Sequence, residues 1–60
     1  MKKYKVVFEF RNNYSVWIPD DFTNNGEGFL YPEALQIAKE LAARSHIRNI
    51  KIKEVHYVKV

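Results

Sequence analysis

From Lys3 to Phe10 the chain alternates. Tyr4, Val6, Phe8 and Phe10 fall on one side, Lys3, Lys5, Val7 and Glu9 on the other. Successive side chains of a strand point to opposite faces, so this period of two predicts a strand with one buried face. Such a strand cannot stand alone. Its apolar face needs cover and its backbone N–H and C=O groups need neighbours. The remaining residues must supply both.

Arg11-Asn12-Asn13 reads as a turn, because Asn tolerates positive φ and bonds its own backbone. Residues 14–18 then read as the return strand, with Tyr14, Val16 and Ile18 inward, and Pro19 ends it for want of an N–H. Residues 19–30 read as a long acidic loop rich in Asn and Gly, and long ordered loops often carry function. A helix is expected from Tyr31 to about Ser45. Pro32 stands at its first turn, Glu33 lies near the positive dipole end, and Ala34, Ile37, Ala38, Leu41, Ala42 and Ser45 form an apolar stripe bordered by Leu35. Glu40 and Arg44 have the i,i+4 spacing of an ion pair. Residues 49–58 read as the last strand, with Ile50 and Ile52 on the core side. Simple parity then turns Val55 and Tyr57 outward, and a bulge at Lys53-Glu54 would bring them in.

The expected fold class is α+β: a two-layer β-β-α-β unit, its three-stranded antiparallel sheet in the order 2-1-3 with one helix packed on one face. Strand 1 takes the centre because its apolar face is the cleanest. Sixty residues make one domain, 1–60. A chain of this size buries only about 60% of the surface that it exposes when unfolded. It has too little length to wall off a deep, dry pocket, so neither an enzyme nor a small-molecule substrate is expected. With no Cys there are no disulfides, thiolate nucleophiles or Cys-type zinc sites, and a cytoplasmic setting fits. Met1-Lys2-Lys3 imitates the start of a signal peptide, but Glu9 stops the apolar run that follows, and no window approaches a membrane span.

Catalytic and metal constellations are not apparent, and no cofactor is expected. His46 and His56 have no Ser or Asp spaced to complete a triad. Asp21-x-Thr23-x-Asn25-Gly26 imitates the start of a calcium loop but reaches Pro32 where the bidentate Glu belongs. Asp20, Asp21 and Glu27 have nothing to shield them from water. The uncovered sheet face is more informative. On parity it displays Lys3, Lys5, Val7, Glu9, Arg11, Ser15, Trp17, Lys51, Lys53, Val55, Tyr57 and Lys59, six cations against one anion. An outward Trp17 is a natural interface anchor.

The E-A-L-x-[IL]-A pattern, here Glu33-Ala34-Leu35-Gln36-Ile37-Ala38, sits between an N-terminal hairpin and a closing strand. In that arrangement the chain resembles small phage- and prophage-encoded β-β-α-β proteins, a group that includes T7-type inhibitors of bacterial RNA polymerase. The resemblance implies a mode of action, the binding of a host enzyme with no chemistry of its own. It carries over no target and no site residue. The expected function is therefore a small regulatory binding module for a protein partner, with Trp17, Arg11 and Tyr57 on the open face, or Phe22 and Asp21 in the loop, as contacts. Single-stranded nucleic acid on Lys3, Lys5, Lys51, Lys53 and Trp17 is the alternative, since cations interleaved with aromatics neutralise phosphates and stack bases. A structural homodimer is the third.

Overall fold

The computed structural model describes residues 2–55. The alternating segment is the central strand. Strand β1 (Tyr4–Arg11) lies between β2 (Trp17–Phe22) and β3 (Ile47–Glu54) in an antiparallel sheet of order β2-β1-β3, and helix α1 (Tyr31–Ala42) packs on one face. Val6 and Phe8 of β1 and Ala34 and Leu41 of α1 are the buried core, with Tyr4, Phe10, Phe29, Ile37, Ala38, Ile47, Ile50 and Ile52 packed around them. The two small residues on the inward side of the helix, Ala34 and Ala38, let it lie close on the sheet.

The return strand begins later than its composition predicts. The Asn12 side-chain carbonyl accepts the N–H groups of Tyr14 (2.9 Å) and Val16 (3.0 Å), and Asn12 N–H donates to the Val16 carbonyl. These bonds spend residues 12–16 on the turn, with Ser15 at φ 60°. Tyr14 and Val16 are therefore exposed, at 87% and 53%, rather than inward. Pro19 does not end β2 but sits inside it, opposite Glu9. The even residues of β1 turn their N–H and C=O groups toward β2, as the paired bonds of Tyr4 with Phe29 show. Pro19, facing odd-numbered Glu9, therefore presents its missing N–H to the free edge, where a ladder loses nothing. Asp21 and Phe22 are accordingly strand residues and not loop residues.

The true loop, 23–30, is pinned at both ends. Gly28 N–H donates to Thr23 O (2.6 Å), and Phe29 bonds Tyr4 in both directions (2.7 and 2.8 Å). Gly28 is buried at φ +87°, and a Cβ there would come within 2.7 Å of Lys3 Cβ.

Helix α1 ends at Ala42 rather than Ser45. Arg44 N–H turns back to Leu41 O, and the chain then delivers His46 O to Arg11 N–H (2.8 Å), so the sheet claims residues that the helix could have kept. Strand β3 in turn starts two residues earlier than 49 and ends at Glu54. Of the two readings of Lys53-Glu54, simple parity holds and the bulge does not, because Lys5↔Lys53 and Tyr4↔Glu54 pair in continuous register. The irregularity lies between Val7 and Glu9, where Phe8 faces both Asn49 and Ile50, and Asn49 takes φ 54°. It restores Ile47 to the face of Ile50 and Ile52 despite the spacing of three. Tyr57 and Lys59 lie outside the described residues.

Candidate functional site

Helix α1 lies over β1 and β3 and not over β2. The part of the sheet that it leaves uncovered forms an open cleft of about 480 Å³. Phe8, Phe10 and Phe22 form its sheet wall, Phe29 joins them from the end of the loop, and Ile37 and Leu41 form its helix wall. Exposed Glu40, Arg44 and His46 supply its polar groups. Glu40 and Arg44 make no ion pair; among the described residues the one ion pair is Glu9 with Arg48. Phe22 is held against Phe8 (ring centroids 5.4 Å apart) yet stays 46% exposed, because no helix residue covers it.

The opposite face carries the charges. Arg11 and Trp17 face each other across β1 and β2, and Asp21 faces Val7. Arg48 lies with its guanidinium carbon 4.0 Å from the centroid of the Trp17 ring, while its Nε donates to Glu9 Oε1 at 3.0 Å. Asn49 Nδ2 donates to the same oxygen at 2.6 Å. These two donors, Arg48 first, hold the Glu9 carboxyl below its ordinary value, since both favour the charged form. Trp17 is thus half-buried beneath a cation that is itself anchored. Arg48 escaped the sequence reading because it precedes the strand expected to start at residue 49. The spacing of Ile47 and Ile50 around an Asn was the signal that could have placed it.

At the other end of this face Lys5 and Lys53 stand directly opposite each other, with Lys51 facing Val7 and Lys3 one step beyond. Lys3 and Val55 are also joined through the backbone, Val55 N–H to Lys3 O. The contact residues expected from sequence therefore divide between two faces: Trp17, Arg11 and Asp21 on the open face, Phe22 in the cleft, and Tyr57 outside the described residues. Asp20, Asp21 and Glu27 do not form a set. Among the described residues no three acidic or His side chains gather to hold a metal ion, and no helix is long and apolar enough to cross a membrane.

The chain matches no family model, no curated protein and no solved structure.

Proposed function

We propose that the protein is a cytoplasmic binding module without chemistry of its own, which takes an apolar segment of a protein partner into the cleft between α1 and β2. The observation that carries this reading is the aromatic wall of the cleft, where exposed Phe22 and half-buried Phe10 and Phe29 surround buried Phe8. A volume near 480 Å³ suits two or three large side chains from one segment. The polar groups of the cleft, Glu40, Arg44 and His46, are exposed around the apolar wall, the arrangement of a protein interface with an apolar centre and a polar rim. Large, rigid rings in a partly desolvated groove are the chemistry of interface hot spots. The resemblance to phage-encoded inhibitors fits the same mode of action and makes a host protein the partner to look for.

The test is an affinity capture from nuclease-treated bacterial lysate with wild-type protein, Phe22→Ser and Trp17→Ala. A stoichiometric protein retained by the wild type and Trp17→Ala but lost with Phe22→Ser supports the cleft. Equal retention by all three overturns it, and loss with Trp17→Ala alone moves the contact to the open face. A doubled mass in light scattering that reverts with Phe22→Ser would make the partner a second copy.

A further inference from the structure

The open face holds a second, independent feature. Lys3, Lys5, Lys51 and Lys53 share one end of it, on two adjacent strands, and among the described residues none of the four lies within ion-pair distance of a carboxylate. Like charges directly opposite on a sheet destabilise it, and Lys5 against Lys53 is such a pair. Neighbouring same-face positions repeat at about 7 Å along a strand, close to the separation of consecutive phosphates in an extended nucleic-acid strand. The one aromatic of this face among the described residues, Trp17, is covered by Arg48, which Glu9 anchors. The apolar residue facing Asp21 and Lys51 on this patch, Val7, is small and half-buried, a poor anchor for a protein partner. A phosphate backbone needs none, because its affinity comes from releasing counterions.

We propose that Lys3, Lys5, Lys51 and Lys53 form a phosphate-backbone site for nucleic acid that works without base stacking, on the face opposite the protein-binding cleft. Binding is then insensitive to sequence and strongly dependent on salt, and Trp17 and Arg11 are not part of it. The proposal does not rest on the cleft, so the two can fail separately.

Fluorescence anisotropy with labelled single-stranded 20-mers of two unrelated sequences, titrated with salt, tests it. The logarithm of the association constant should fall linearly with that of salt concentration at about −0.7 per phosphate contacted, near −3 for four lysines. Lys5→Gln/Lys53→Gln should bind about tenfold more weakly at low salt and lower that slope by about 1.4. Its melting midpoint should hold or rise, since a repulsive pair is gone, which separates lost contacts from lost fold. Trp17→Ala and Phe22→Ser should bind like the wild type. The proposal is overturned by absence of binding at low salt or by an unaltered affinity in the double Lys variant. It is equally overturned by loss of affinity in Trp17→Ala with quenching of indole fluorescence, which would mean stacking. Binding of poly-glutamate or anionic vesicles as tight as that of the 20-mers would also overturn it.

Discussion

Asn49 performs two tasks that few residues combine. Its backbone occupies φ 54° at the bulge, and its side chain donates to Glu9. Asn visits the left-handed region more readily than other residues with a Cβ, whereas most of them meet a cost of about 1–2 kcal/mol there. Asn49→Ala should therefore destabilise the fold by about that amount, while Asn49→Gly keeps the backbone and loses only the bond to the carboxylate. Chemical denaturation of the two variants distinguishes the contributions: an equal loss in both would mean that the backbone conformation is irrelevant. Glu9 adds a dependence on pH. Its folded pKa is depressed below the ordinary 4.5 by Arg48 and Asn49. The stability it contributes is complete above that ordinary value and disappears as pH falls through the depressed one. Denaturation midpoints measured from pH 6 downward should show this decline, and Glu9→Gln should flatten it. Arg48 and Asn49 were not legible as partners of Glu9, because their meeting depends on where the bulge falls and not on any local motif.

At the scale of elements, β1 and α1 were readable and β2 and β3 were displaced. An eight-residue alternation admits one register, and a Pro in the first turn marks a helix start whatever surrounds it. Pro19 misled because a proline ends a central strand but not an edge strand, and edge position is a property of the assembled sheet. Parity from Ile50 gives the right faces for residues 50–53, but the start of β3 stays hidden, because Ile47 and Ile50, three apart, do not alternate until a bulge is placed at Asn49. The cleft could not be read at all, since it depends on how far the helix reaches across the sheet. That geometry gives two phenylalanines of one sheet face opposite roles. Phe8 is 6% exposed and Phe22 46%. Phe8→Ala should cost about 3–5 kcal/mol, enough to unfold most of the population of so small a domain. Phe22→Ala should cost well under half as much, because much of its surface stays wet in the native state. Thermal melts of both compare these values directly; equal losses would mean that Phe22 is a core residue and the cleft is closed in solution.

The whole molecule guards both margins of its sheet. The free edge of β2 has Pro19 followed by Asp20 and Asp21, and β3 has a bulge and outward lysines, the devices that discourage growth of a sheet by strand addition. What stays open is the two broad faces, one with an apolar cleft and one cationic, which lie on opposite sides of a single layer of strands. The strand order has a further consequence, in time. The central strand pairs with its sequence neighbour within a few residues, but its other flank waits for a segment about forty positions away. Local hairpin closure is fast, and the loss of chain entropy on closing the longer loop precedes any reward from contacts. The order therefore predicts a hairpin that forms first, with Val6 and Phe8 bare, and a slow step in which α1 and β3 dock on it, the interval when the chain is most open to a protease or to its own kind. Leu41→Ala should then slow refolding, and an unchanged refolding rate would refute that order.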